Sequence, residues 1–446
     1  MRIGRRGILV AFATLLFMTL GSVPARAQFG LALSGVGPIN RSMGGAAVAA
    51  PIDAAGALFW NPATISGLGR SEMEFATEVL IPRTTVQSRV PAGAFGPNFP
   101  PRSLSGNNGG NNGVFPLPAF GLVYQPESSA WTYGIGFFEL GGFGVNYPAS
   151  LRNPIFSPQA PFGRGVGALY TQYLVYQVAP TVSYRVSDQV SIGVAGNVDL
   201  GGLSVDPALF STPGLVLSPL GPGPVYPPAT HGRARWGGGF NVGVFYTPET
   251  DWQFGASVRS PQWFETYTYN AVSSQGLPIT PKFNLDFPMI ASVGTAYTGF
   301  ERLLLATDFR FLDYRDTNGF RHSGFDKTGA FRGLGWQNVF ALGTGAQYQW
   351  TDTLSLRAGY TFSLNPAGNA VTSFNVGSPT IVQHTLALGA SYDVTKALRL
   401  SFAYVHDFQN QIHGPLILPF VGPIPGSNVR SASTADAVIL GATVIF

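Results

Sequence analysis

The sequence predicts an all-β fold: a transmembrane antiparallel β-barrel of about fourteen strands, its lumen plugged by an N-terminal hatch. Three observations carry that prediction. Charged residues make up 11% of the 446-residue chain and aromatics 13%, where soluble proteins carry roughly 25% charge. Beyond the N-terminal leader, no stretch approaches the roughly 20 apolar residues of a spanning helix, and mean hydropathy is only +0.17. Period-two alternation recurs along the chain, and strands crossing lipid must close into a barrel so that every backbone group is paired.

The first element is a leader. Arg2, Arg5 and Arg6 precede an apolar run from Ile8 to Leu20, and Ala25-Arg26-Ala27 supplies small residues for cleavage. Residues 1–27 thus read as a signal peptide, with the mature chain beginning near Gln28. The four arginines of this leader account for the formal charge of +4, so no basic face remains for nucleic acid. The chain has no cysteine, which excludes disulfides and thiolate metal sites.

Residues 28–70 follow with no strand period. Gly35, Gly37, Gly44 and Gly45 lead into an alanine-rich run and then Leu58-Phe59-Trp60. Small residues allow close packing, and that apolar triplet is a poor fit to a solvated leader. This segment is expected to sit inside the lumen.

Residues 71–446 form the barrel. From Thr353, Leu354, Leu356, Ala358, Tyr360 and Phe362 alternate with Ser355, Arg357, Gly359 and Thr361. A soluble sandwich would place Lys and Glu on its polar parity, whereas small residues with occasional Arg, Asp and Gln suit a crowded lumen. Strands are predicted near 72–85, 115–125, 131–145, 169–187, 189–203, 236–248 and 251–270. Seven more lie near 284–298, 302–315, 337–350, 353–366, 380–395, 398–410 and 432–446. Short and long connections alternate without exception, as periplasmic turns and extracellular loops do, and an even count returns both ends to the periplasm. Tyr124, Trp131, Tyr246, Trp252 and Trp350 stand at strand ends as an interfacial girdle would. The last strand ends on Phe446.

At this point the sequence resembles a family, the FadL/TodX-type outer-membrane transporters of long-chain fatty acids and aromatic hydrocarbons. The resemblance rests on Arg41-Ser42-Met43-Gly44-Gly45-Ala46-Ala47-Val48-Ala49, then Asp53-Ala54-Ala55, then the Asn61-Pro62-Ala63 box. It continues in Trp336-Gln337-Asn338-Val339, in Leu356-Arg357-Ala358-Gly359-Tyr360 with Asn365-Pro366, and in the final strands. It implies a plugged fourteen-strand barrel, a terminal Phe446 recognised by the barrel assembly machinery, and a kinked third strand that opens the wall sideways. Gly141-Gly142 lies in that strand, where consecutive glycines mark a bulge or a close backbone approach.

Candidate binding residues follow. Arg185, Arg259, Arg310 and Arg357 share the lumen parity with Asp199 and Asp308. They either hold a substrate carboxylate or form Arg–Asp ladders that stiffen the lumen. Phe59 and Trp60 are expected to line the substrate pocket. Two outer loops are apolar, with Phe210, Leu215, Val216 and Leu217 in one and Leu416, Ile417, Leu418 and Phe420 in the other, which suits either a landing groove or mutual packing. His231, His322, His384, His406 and His413 show no metal-ligand spacing. No G-x-S-x-G elbow is present, and Gly106–Gly113 lacks the lysine of a phosphate loop.

The expected function is passive uptake of hydrophobic small molecules across the outer membrane of a Gram-negative-type cell, with sideways release and no bond chemistry, metal or cofactor. Outer-membrane lipids are its expected surroundings. The alternative is an adhesin or envelope scaffold whose Pro- and Gly-rich loops are the working surface. A lipid-acting barrel enzyme would need a Ser/His pair that the sequence does not supply.

Overall fold

Alternation along the chain becomes alternation across a wall. In the computed structural model, which describes residues 29–97, 99–218, 221–228 and 233–446, fourteen strands form a closed antiparallel barrel. The leader lies outside the described residues. The strands are β1 (Glu72–Val90), β2 (Phe115–Tyr124), β3 (Trp131–Tyr147), β4 (Leu169–Arg185), β5 (Val190–Asp206), β6 (Arg233–Tyr246) and β7 (Trp252–Arg259). They continue as β8 (Ile290–Phe300), β9 (Leu303–Leu312), β10 (Val339–Gln349), β11 (Leu354–Ser363), β12 (His384–Asp393), β13 (Leu398–Gly414) and β14 (Asn428–Ile445). Each pairs with its neighbours in sequence, and β14 closes the ring on β1 from Glu72↔Ile445 to Arg89↔Asn428.

All fourteen predicted strands are present, with one large correction at β7. The strand expected over 251–270 ends at Arg259. Pro261 has no N–H for the ladder, and the chain turns so that Trp263–Phe264 pairs instead with Gly237 and Gly238 of β6. The next strand consequently begins at Ile290, not near 284.

Connections at one end are short (125–130, 186–189, 247–251, 301–302, 350–353 and 394–397). Those at the other are long (91–114, 148–168, 207–232, 260–289, 313–338, 364–383 and 415–427). The sorting matches expectation and orients the barrel. Leu356, Leu388, Phe402 and Leu440 are exposed on the outer face, while Ser355, Arg357, Ser391 and Ser401 are buried on the inner face. Tyr124, Trp131, Tyr246, Trp252 and Trp350 are all exposed beside the short turns. Trp131 packs on Tyr184 and Trp252 on Tyr297, with ring centroids 4.6 and 4.7 Å apart. That is the girdle of an interface.

Residues 29–70 lie inside the ring. Two short helices, α1 (Gly37–Ser42) and α2 (Ala54–Trp60), precede a 3-10 turn over Pro62–Leu68. Asp53 caps α2 by accepting from the Gly56 N–H at 3.1 Å, and Asn61 caps the turn by accepting from the Ala63 N–H at 3.1 Å. Such caps satisfy amides that helices this short leave open. Nearly every residue of the segment is buried.

Candidate functional site

Barrel glycines let the N-terminal segment approach the wall backbone closely. Gly44 sits at φ +65, and a Cβ there would lie 2.6 Å from both the Thr344 and Tyr360 carbonyl oxygens. Its own carbonyl accepts from the Thr361 hydroxyl at 3.0 Å. On the opposite side, the Asn61 amide donates to the Val48 carbonyl at 2.8 Å and to the Val244 carbonyl of β6 at 3.0 Å. Pro62 and Ala63 press on β5 at Gly193, where a Cβ would fall 2.4 Å from the Pro62 carbonyl carbon and the Ala63 nitrogen. The Asn61-Pro62-Ala63 box therefore wedges the segment against β5 and β6.

The inward arginines are committed to this segment or to the wall. Arg310 donates to the Gly45 carbonyl and to Asp308, each at 2.7 Å, and its guanidinium lies 3.7 Å from the Trp60 ring centroid. Asp308 in turn accepts from the Ala47 and Val48 amides at 2.8 and 3.0 Å. Arg259 donates to the Phe59 carbonyl and stacks on the Phe59 ring at 4.7 Å. Arg357 spans three strands, donating to Gln347 and Ser391 at 2.6 Å each. A bidentate pair outside the predicted set, Arg41 with Glu78 at 2.8 and 3.0 Å, fastens α1 to β1. Arg185 does not join these groups. It is exposed at the short-turn end of β4, in a cleft with Arg70 and Gln125. Parity assigns a face but not a height along the strand, so Arg185 shares a parity with lumen residues while lying below them.

Phe59 and Trp60 are buried edge-to-face at 4.7 Å, and Phe59 meets Phe138 of β3 at 5.6 Å. Just beyond Phe138 the wall changes. The β2–β3 ladder ends at Ala119↔Phe138, and the β3–β4 register shifts between Glu139 and Gly141. Leu140 is the extra residue of this bulge. Gly141 adopts φ +152, with room for no side chain because a Cβ would meet the Leu31 carbonyl oxygen at 2.0 Å. The start of the N-terminal segment fills the place: the Leu33 N–H donates to the Leu140 carbonyl at 3.0 Å, and the Gly142 N–H to the Leu31 carbonyl at 2.9 Å. Tyr314, buried against Phe320 and Trp336, holds that start by its hydroxyl.

Above the segment, the long loops enclose a chamber of about 110 Å³. Its walls include Phe143, Phe210, Phe283, Phe331, Phe374 and Leu416. Of the two apolar loops, Phe210, Leu416, Ile417 and Leu418 line the chamber, whereas Leu215, Leu217 and Phe420 stay exposed. Arg164 also lines it, but donates to the Pro222 and Gly221 carbonyls at 2.8 and 3.2 Å. The loop presenting Phe325 and Phe331 is tied by Asp326, which accepts from the Thr328 hydroxyl at 2.7 Å and the Thr328 and Ala330 amides at 2.8 and 3.0 Å. The Thr328 hydroxyl, followed by those amides, holds the Asp326 carboxyl below its usual range. One apolar cluster runs from Phe210 and Leu334 through Phe29, Leu31 and Tyr314 to Phe59 and Phe138. The sequence offered no signal for Phe283, Phe331 or Phe374, since they come from three loops without period.

A family model described as "Outer membrane protein transport protein (OMPP1/FadL/TodX)" matches residues 18–446. No curated protein matches the chain in sequence. Among solved structures, the P. putida toluene transporter TodX is 17% identical, with 93% of this chain and 99% of that one covered and a TM-score of 0.66. A Pseudomonas aeruginosa FadL homologue is 16% identical over 93% and 99%, at 0.69. The Ralstonia pickettii toluene transporter TbuX is 19% identical over 91% and 98%, at 0.62. At such identities these likenesses speak for the fold.

Proposed function

Because this chain belongs to the OMPP1/FadL/TodX family of outer-membrane transport proteins for hydrophobic substrates, we propose that it admits neutral hydrocarbons from the cell surface and releases them sideways through its own wall. The observation that carries this reading is the unbroken apolar cluster from the loop chamber to the bulge in β3. A water-filled bore would reject a molecule that prefers hydrocarbon, while a route of buried apolar side chains lowers its free energy at each stage. Residues 28–70 act as the hatch that closes the straight path, and residues 71–446 as the barrel. Release runs past Gly141-Gly142, once Leu31–Leu33 withdraw from the bulge.

Two features favour a neutral substrate over a carboxylate. Arg259, Arg310 and Arg357 each donate to the hatch or the wall and none of them lines the chamber, while Arg164, which does, is held by loop carbonyls. Burying a carboxylate without a partner costs several kcal/mol. The chamber lining is also predominantly apolar, with Phe210, Phe283, Phe331 and Phe374 among its walls. Phe446, exposed at the periplasmic rim with its N–H on the Ser71 carbonyl at 3.1 Å, is open to the barrel assembly machinery. The test is uptake of radiolabelled toluene and of oleate by cells with and without the protein. Toluene entry should rise with expression and oleate entry should not. Equal toluene entry in both cells would refute transport, and a rise for oleate alone would refute the neutral substrate.

A further inference from the structure

Most of the barrel's outer face is apolar, but one sector is not. Strands β13, β14 and β1 are the tallest neighbours, at 17, 18 and 19 residues. Their outward residues begin apolar at the short-turn end: Leu400 and Phe402 on β13, Leu440 and Val438 on β14, Phe75 and Val79 on β1. Polar side chains then appear on all three strands, beside Ile81 and the exposed Phe408. His406 stands opposite Asp436, Asp436 opposite Ile81, and Arg83 opposite Thr434. Higher still, His413 and Gln87 flank Arg430 on either side, and Arg89 faces Asn428. The same stretch of β6, across the barrel, carries exposed Phe240 and Trp236 instead.

The height of the switch can be placed. Leu398 and His406 are eight residues apart on β13. At about 3.3 Å per residue and a tilt of about 40°, that is about 20 Å up the wall, against an apolar band about 25 Å tall. The polar sector therefore begins near the top of the hydrocarbon and continues through the headgroup layer on the side of the long loops. That layer belongs to the outer leaflet.

Charge in this sector is unbalanced. Arg83, Arg89 and Arg430 point outward with His406 and His413, and Asp436 is the only acid on the outer face of these three strands. Asp436 is already engaged, accepting from Arg83 at 2.6 Å, the Tyr404 hydroxyl at 2.6 Å and His406 at 2.8 Å. Among the described residues, Arg430 meets only the neutral Gln411, at 2.7 Å. Arginines on a lipid-facing wall are costly unless an anion shares their layer. Guanidinium forks match phosphate oxygens in pairs.

We propose that the outward face of β13, β14 and β1, with Arg83, Arg89 and Arg430 at its centre, is a binding site for the phosphorylated glucosamine headgroup of outer-leaflet lipopolysaccharide. Asp436 holds Arg83 and His406 side by side at the lower edge, and Arg89 and Arg430 grip the phosphate-bearing sugar above. The site is independent of the transport route, which lies inside the ring.

The test uses the full-length protein in detergent and measures binding of bisphosphorylated lipid A, dephosphorylated lipid A and inorganic phosphate. The variants are Arg83→Gln/Arg89→Gln/Arg430→Gln and, as a control at the opposite rim, Arg302→Gln/Lys396→Gln. Bisphosphorylated lipid A should bind the wild type and the control alike, and the triple variant at least about tenfold more weakly. Dephosphorylated lipid A should bind all three weakly, and millimolar phosphate should not displace the lipid. Equal binding by wild type and triple variant, equal binding of the dephosphorylated lipid, or displacement by phosphate alone would each overturn the assignment. Should the triple variant fail the heat-modifiability check for a folded barrel, Arg430→Gln alone serves, because among the described residues this exposed side chain bonds only to Gln411. Its expected loss is several-fold, and no loss would overturn the site.

Discussion

Tyr314 clamps Leu31: its hydroxyl accepts from the Leu31 N–H at 3.1 Å while donating to the Phe29 carbonyl two residues earlier. The contact joins residues 283 positions apart. It connects the start of the hatch, which fills the bulge in β3, to the loop that packs Phe320 and Trp336. Leu334 of the same loop lines the chamber. The loop that lines the chamber and the start of the hatch are therefore joined through Tyr314.

Removing the hydroxyl while keeping the ring isolates that clamp. Tyr314→Phe leaves buried backbone groups unpaired, at a cost of about 1–3 kcal/mol. Hydrogen exchange at residues 29–33 should accelerate by one to two orders of magnitude, with exchange in the wall strands unchanged.

Gly44→Ala tests the close approach of hatch to wall. Alanine carries a left-handed penalty of about 1–2 kcal/mol, and its Cβ would collide with two wall carbonyls that the ladder holds in place. The hatch should loosen and the barrel persist. Single-channel recordings should show ion conductance above the wild-type level.

Asp308 and Arg310 should couple strongly. Arg310→Met strands a buried carboxylate and should cost about 3–5 kcal/mol, whereas Asp308→Leu/Arg310→Met should cost less than the sum of the single changes. Denaturant unfolding of the two single variants and the double variant measures the coupling. Additive losses would contradict a direct role for the pair in seating the hatch.

Acidity should open the outer loop. The Asp326 carboxyl sits below its usual value of 3.8 because Thr328 and the amides beyond it favour the charged form. Its contribution is present above 3.8 and is lost as pH falls through the lower folded value. Exchange at 325–331, corrected for intrinsic rates, should rise between pH 5 and pH 2.5. Asp326→Asn keeps an acceptor oxygen and should abolish that pH dependence.

Much of this was legible in the sequence, and the rest failed for identifiable reasons. Period two and turn spacing located all fourteen strands, because inward and outward faces meet such different surroundings. Pro261 was available as a stop signal for β7 and outweighs the apolar pattern that continues past it. Parity pointed Arg259, Arg310 and Arg357 inward correctly, but their partners Phe59, Gly45 and Gln347 are a matter of tertiary contact. The same parity misplaced Arg185, which lies beyond the hatch. Gly141-Gly142 marked the bulge, whereas Leu31–Leu33, which fill it, carry no strand period. The chamber was visible only in part, through Phe210 and Leu416–Leu418.

The bulge offers the most direct test of sideways release. Deleting Leu140 removes the extra residue and lets Glu139 and Gly141 continue one register with β4, so the wall can close beside β2. The measurement is the initial rate of radiolabelled toluene entry into cells bearing equal surface amounts of wild-type and Leu140-deleted protein. Entry through the deleted form should fall to the rate of cells lacking the protein. Entry at the wild-type rate through a sealed wall would contradict the account.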